Sequence, residues 1–183
     1  MSSHIFISHS TVDDAIVKKL RESLEAHKLT TWVDSREVSA GAKLSPEIEQ
    51  AIDTATHFIV MISPAVINKP HWVIRELKYA LKVEAQRRET DGYRVIPIIL
   101  PGVTFDTLTL FFDEEITAIQ IKDGALGLNE ALPEILTALG QQLPEDWQPS
   151  QTVTVDPVAE LILELTDPHI EIKENVRRAT ATA

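Results

Sequence analysis

The chain has 183 residues, of which 44% are hydrophobic and 25% charged, proportions typical of one globular domain with room for a short appendage. It contains no cysteine, which excludes disulfides, thiolate metal sites and cysteine nucleophiles, and its six histidines show no metal-binding spacing. A net charge of −11 argues against nucleic-acid binding, which depends on basic surfaces that neutralise phosphates.

The hydrophobic segments give no targeting or membrane signal. The first residues lack the charged and apolar regions of a signal peptide. No window reaches the roughly 18 apolar residues of a spanning helix. We therefore expect no membrane partner and a cytoplasmic location, with which the absence of cysteine agrees.

The first part of the chain alternates between short apolar runs and an amphipathic segment. Residues 4–8 and 30–33 are apolar runs that predict buried strands. Over residues 12–24, apolar side chains recur at four-residue spacing, which predicts a helix. Ser10 or Thr11 is expected to cap that helix, because a side-chain oxygen there can accept a hydrogen bond from the first turn.

A polar loop and a second helix follow. Residues 34–43 are polar and include Gly41, a composition that predicts a loop. Residues 44–55 return to helical apolar spacing, and Ser45 and Pro46 fit the N-cap and the first position of a helix. This Ser-Pro pair therefore predicts where the second helix begins.

The second half of the chain continues the alternation. Strands are predicted over residues 57–62, 94–100 and 118–121, and helices over residues 71–88 and 127–139. Pro97 lies inside one of these strands, and because proline lacks a backbone N–H we expect an irregularity there. Strand and helix thus alternate about five times, which predicts the α/β class: a flavodoxin-like five-stranded parallel sheet with helices on both faces.

The composition changes near residue 143. Residues 1–143 are predicted to form the main domain, and residues 144–152 are linker-like. Residues 153–183 contain two further apolar runs and either open another element, whose remainder lies beyond this chain, or form a C-terminal appendage packed on the main domain. The sequence leaves both possibilities open.

Several polar and aromatic residues follow the predicted strands, where ligands bind in open α/β sheets. Trp72 and Glu76 are four positions apart on a predicted helix, so they share a face, and we expect that face to be offset from the apolar stripe, near the rim of the sheet. An indole beside a carboxylate there could hold a flat ligand. Equally, Glu76 could be a solvated carboxylate paired with Lys43 or Arg75, and Trp72, like Trp32, could be a core residue.

Familiar nucleotide and phosphate signatures are absent. The sequence has neither a G-x-x-x-x-G-K-[ST] loop nor a G-x-G-x-x-G turn. Asp13 and Asp14 follow the first strand as the acidic pair of a receiver domain would, but Thr11 and Val12 intervene and no lysine closes the fifth strand convincingly. A phosphoacceptor role is therefore not favoured.

Three segments resemble the TIR (Toll/interleukin-1 receptor) domain family. Residues 4–10 (HIFISHS) resemble its first box, residues 32–43 (WVDSREVSAGAK) its second strand and BB loop, and residues 63–77 (SPAVINKPHWVIREL) the segment entering its third helix. The resemblance covers about residues 3–139. Signalling adaptors of the family typically carry R-D-x-x-P-G in the BB loop; this chain lacks the proline and is similar instead to TIR domains that cleave NAD+.

The resemblance implies a function and a site. Glu76 corresponds to the catalytic glutamate of NAD+-cleaving members. The substrate-binding residues that it implies are Ser8, His9, Ser10, Trp32, Asp34, Gly41 and Trp72. It further implies NAD+ as substrate with no cofactor and no metal, other TIR domains as head-to-tail partners, and a role in bacterial immunity, such as antiphage defence or cell suicide. Two alternatives are a non-catalytic TIR interaction module and a nucleoside deoxyribosyltransferase-like enzyme.

Overall fold

A computed structural model describes residues 4–33, 44–69, 71–114, 116–122 and 124–143 of the chain. The predicted loop at 34–43, the linker at 144–152 and the segment 153–183 lie outside these ranges. The predicted domain organisation beyond residue 143 therefore stays a prediction.

The described residues form one sheet of parallel strands in the order β2-β1-β3-β4-β5. The strands are β1 (Ile5–Ser8), β2 (Thr31–Val33), β3 (His57–Ile62), β4 (Arg94–Ile99) and β5 (Ile119–Gln120). This is the flavodoxin-like order, in which β1 and β3 are neighbours and the chain changes direction between them. The fold predicted from the alternation of apolar runs is confirmed.

Helices cover both faces of the sheet. They are α1 (Asp14–Ala26), α2 (Pro46–Thr54), α3 (Pro64–Asn68), α4 (His71–Asp91) and α5 (Gly124–Ala138), with 3₁₀ turns at Thr11–Asp13 and Phe105–Leu110. Phe6 packs with residues of α2, α3 and α4, whereas Ile5 and Ile7 pack with residues of α1 and α5. Successive strand residues point to opposite faces, so each strand contributes to both cores. No helix among the described residues is long and apolar enough to cross a membrane.

The helix starts agree with the sequence prediction at α2 and differ at α1. Ser45 caps α2 and accepts a hydrogen bond from the amide of Ile48, with Pro46 in the first turn, as predicted. Ser10 precedes a 3₁₀ turn and makes no side-chain capping bond, Thr11 lies within that turn, and the N-cap position of α1 is Asp13, so the predicted cap on α1 is wrong. The 3₁₀ turn at residues 11–13 separates Ser10 from α1, which begins only at Asp14.

Pro97 lies in β4 without disturbing it, and the predicted irregularity is wrong. β3 and β4 pair in continuous register along their whole length. Leu100 donates its amide to Ile62 of β3, whereas the carbonyl of Ile99 accepts from Ile121 on the β5 side. Along a strand, the backbone N–H and C=O groups of alternate residues point to the neighbouring strands on opposite sides. The backbone nitrogen of Pro97 therefore points to the β5 side, as the backbone groups of Ile99 do. In the described part of the chain, β5 pairs only with the last two residues of β4, so no ladder bond is lost at Pro97.

Candidate functional site

The candidate site lies at the carboxyl ends of β1 and β3, where the strand order reverses. Ser8 is the last residue of β1 and pairs in register with Val60 of β3. Ser63 directly follows β3 and begins α3. Loops leaving these adjacent strands diverge to opposite faces, and the crevice between them is the usual ligand position in this fold.

Glu76 approaches this crevice from α4, and its carboxylate is bonded to β1. The Ser8 hydroxyl donates a hydrogen bond to Oε2 of Glu76. Both residues are only 1% exposed. Ser8 follows Phe6 by two positions and therefore points to the face on which α4 packs. This contact joins two residues that are 68 positions apart in the sequence.

Glu76 lies near the rim of the sheet as expected, against Ser8, but its expected offset from the apolar stripe is wrong. The buried residues of α4 include Val73, Leu77 and Ala80. Glu76 lies three positions after Val73 and one before Leu77, which places it within the buried stripe of the helix, since positions i, i+3, i+4 and i+7 share a face. Burying a carboxylate is costly unless hydrogen bonds compensate, and a carboxylate buried beside a ligand crevice is typical of a functional site.

A second set of polar contacts joins the loops that follow β1 and β3. His9 Nε2 lies 2.7 Å from Asp14 Oδ1. Ser63 donates its hydroxyl to Asp13 Oδ2 at 2.6 Å and accepts from the amide of Val66 at 3.2 Å. Burial raises the pKa of Asp13, although the Ser63 hydrogen bond and the nearby His9 act in the opposite direction. The Ser63–Asp13 bond joins the two loops, and the His9–Asp14 contact fixes the segment that follows β1.

Aromatic rings line the same face of the sheet. Trp32 stacks on Phe6 with 4.7 Å between ring centroids, and Phe6 stacks on Phe58 at 5.1 Å. Trp32 is half-buried at the end of this row. Trp72 is also half-buried against the same core, and its Nε1 is buried without a hydrogen-bond partner among the described residues. Both tryptophans thus contact the core, as the alternative interpretation predicts, while part of each remains exposed.

The structure brings some of the predicted residues together and leaves others undescribed. Ser8 contacts Glu76, and Trp32 and Trp72 pack against the core on the same face of the sheet. His9 is buried next to Ser8, and Ser10 is half-buried at the start of the following turn. Asp34 and Gly41 lie outside the described residues.

Sequence reasoning missed the contacts of Asp13, Asp14 and Ser63. Asp13 and Asp14 were considered only as a receiver-like acidic pair, and Ser63 only as part of the segment that resembles the entry to the third helix of the family. The Ser-Pro pair at residues 63 and 64 is the same signal that located the start of α2, so it could have indicated the cap of α3.

Other features of the structure do not enter the site. Within the described ranges, no group of three or more His, Asp or Glu residues is arranged to hold a metal ion. A pocket of about 520 Å³ is lined by the carboxyl-terminal half of α4, including Glu84 and Arg88, and by Arg94 at the start of β4. That pocket lies at the amino ends of the strands, away from the crevice beside Ser8.

Comparison with known proteins supports the resemblance seen in the sequence. The model of the TIR domain family matches residues 5–136. A 2′ cyclic ADP-D-ribose synthase, BtTIR, of Bacteroides thetaiotaomicron is 34% identical over 107 residues, which are 58% of this chain and 35% of that protein. The chain thus spans about a third of the length of this relative.

A solved structure shows the same fold. The metazoan TIR-STING receptor from C. gigas, in complex with 2′,3′-cGAMP, superposes with a TM-score of 0.57 at 24% identity. The match covers 77% of this chain and 40% of the receptor. The family model alone spans well over half of the 183 residues, and the sheet order and the three matching segments agree with it. The chain belongs to the TIR domain family.

Proposed function

We propose that this domain cleaves the nicotinamide–ribose bond of NAD+, with Glu76 at the reaction centre. The observation that carries the proposal is a carboxylate buried at the switch point of the sheet and held by the Ser8 hydroxyl. Trp72 lies one helical turn before it, so an aromatic ring and the carboxylate face the same region. The relative from B. thetaiotaomicron, a cyclic ADP-ribose synthase, supports this choice of substrate.

One carboxylate is sufficient for this chemistry. The nicotinamide of NAD+ is a cation and leaves as a neutral base, so the reaction needs no general acid, unlike the hydrolysis of an ordinary glycoside. As the bond breaks, positive charge develops on the ribose, and a fixed carboxylate stabilises that charge. Water, or a nucleophilic group of the ADP-ribose itself, then bonds to the anomeric carbon and its proton is released. The products are nicotinamide and either linear ADP-ribose or a cyclic isomer, and no additional cofactor is required.

The remaining substrate contacts are proposed from the same crevice. Trp32 and Trp72 would contact the flat parts of the substrate through their exposed portions. We retain the roles predicted for His9, Ser10, Asp34 and Gly41 as part of this proposal.

Self-association with other TIR domains, head to tail, is the partner interaction that we propose. Glu76 is buried, so substrate must reach it through a rearrangement of the surrounding segments, and a neighbouring domain is one agent that can stabilise the open arrangement. A role in bacterial immunity, in the cytoplasm, follows from the same family likeness and belongs to the proposal.

The test is direct. Purified protein is incubated with NAD+ at several concentrations, and nicotinamide and the ADP-ribose isomers are separated by chromatography and identified by mass. We expect nicotinamide to form in equal amount with one ADP-ribose product and to be lost in a Glu76→Gln variant. If the wild-type protein, folded and concentrated, releases no nicotinamide, the proposal is refuted and a non-catalytic interaction module is the better account.

A further inference from the structure

We propose that Ser8 is a positioning residue for Glu76: its hydroxyl fixes the orientation of the carboxylate, and it does not bind substrate itself. The inference rests on the proposed function and refines the sequence prediction, which placed Ser8 among the substrate contacts. The hydroxyl donates to Oε2 of Glu76 inside the protein, and both side chains are almost completely buried. A serine hydroxyl has one O–H to donate, and because Ser8 directs it at Glu76 it is not available to an acceptor on the substrate.

The position of the Ser8 hydroxyl is fixed by the strand that carries it. β1 pairs with a strand on each side, and Ser8 itself is in register with Val60 of β3. The next residue, His9, is held through its ring by Asp14. Displacement of the Ser8 backbone would disrupt these interactions, so its side chain starts from a more rigid position than one on a loop.

The hydrogen bond has two consequences for Glu76. A bond to one carboxylate oxygen restricts rotation of the group about its last torsion, which is otherwise broad. A donor directed at a buried carboxylate also favours its charged form, whereas burial opposes that form. The proposed reaction needs a charged carboxylate in a defined orientation while positive charge develops on the ribose.

The kinetic test compares Ser8→Ala, which removes the donor, with Ser8→Thr, which retains it. For Ser8→Ala we expect kcat for NAD+ cleavage to fall by about 10- to 100-fold, the effect of losing one hydrogen bond to a charged group. KM should stay within about threefold of wild type, because no contact with bound substrate is lost. Ser8→Thr should retain most of the activity. A matched control is Ile135→Val, which perturbs the core on the other face of the sheet and should change stability slightly without changing kcat.

Three results would overturn the inference. An unchanged kcat in Ser8→Ala would show that the hydroxyl is dispensable. A raised KM with kcat unchanged would return Ser8 to the substrate contacts. Equal losses in the Ala and Thr variants, with unchanged melting temperatures, would show that the hydroxyl is not the relevant group.

A second measurement separates this inference from the proposed function. The side-chain carboxyl carbons of glutamate are labelled with ¹³C, and the resonance of Glu76 is assigned from its absence in Glu76→Gln. Loss of the Ser8 donor should shift that resonance in Ser8→Ala, whether or not the protein cleaves NAD+. An identical resonance in the two proteins would refute the positioning role, whereas a shifted resonance in a protein without activity would refute only the proposed function.

Discussion

Replacing Glu76 with glutamine separates the charge of this side chain from its shape. The two side chains are nearly isosteric, and the amide oxygen of glutamine can still accept the hydrogen bond from Ser8. Because Glu76 is buried between α4, which carries it, and the sheet, conserving its volume keeps the core packed. The substitution therefore tests the carboxylate charge with little change in structure.

The expected magnitude follows from Coulomb's law. A full negative charge roughly 4 Å from a developing positive charge, at an effective dielectric constant of about 20, is worth about 4 kcal/mol. Each 1.36 kcal/mol corresponds to about a factor of ten in rate. Only part of the positive charge is present in the transition state, so we expect kcat to fall by about 10²- to 10³-fold, as for the loss of one electrostatic stabiliser in other enzymes.

The assay measures nicotinamide release at saturating NAD+ together with thermal unfolding of the same samples. The melting temperature of Glu76→Gln should equal or exceed that of wild type, because a neutral amide is easier to bury than a charge. Turnover within about tenfold of wild type would refute the electrostatic role of Glu76. A fall in melting temperature of more than about 4 °C, which corresponds to a loss of roughly 1–2 kcal/mol, would refute the claim that the packing is conserved.

Three further predictions concern the aromatic residues and assembly. Trp72→Ala should lower kcat/KM for NAD+ by about 10- to 100-fold through the loss of stacking worth roughly 1–3 kcal/mol; an unchanged value would place the substrate elsewhere. Tyr93→Phe should leave the free energy of unfolding, measured in urea, unchanged or raise it by about 1 kcal/mol, because the buried hydroxyl has no partner among the described residues; a loss of that size would contradict this. Specific activity should rise with protein concentration over a wide dilution series in which particle size is also measured. A constant specific activity from a monomeric sample would exclude activation by self-association.

The sheet could be predicted closely from the sequence because its strands are continuous apolar runs. β3, for example, begins and ends where the run HFIVMI does. The order of strands reverses at β1 because α1 lies on one face of the sheet and α2, α3 and α4 lie on the other. The short elements were missed for a related reason. α3 spans five residues and the 3₁₀ turn at Phe105–Leu110 six, which is too short for a helical period to emerge.

Candidate site residues could be named from the sequence, but their arrangement could not. Glu76 and Trp72 emerged from helix spacing together with the family resemblance. The burial of Glu76 did not, because a charged residue was assumed to lie off the apolar stripe that it in fact shares with Val73 and Leu77. Its contact with Ser8 depends on how α4 packs across β1, which is a property of the tertiary structure and leaves no local signal in either segment.

The burial of Glu76 also bears on how such a site would be switched on. A carboxylate that is 1% exposed cannot touch a dinucleotide until neighbouring groups move, so the proposed reaction requires a more open state of the domain than this one. If that state is populated at about 1%, the apparent affinity for substrate is reduced by about 100-fold, and a partner that binds only the open state can restore up to that factor.

The polar contacts of His9 with Asp14 and of Ser63 with Asp13 hold the β1 and β3 loops in place. The movement that admits substrate is therefore expected on the other side of the crevice, toward Trp72 near the start of α4. A neighbouring domain that contacts this side would act on the open state directly, which is why activity should depend on protein concentration.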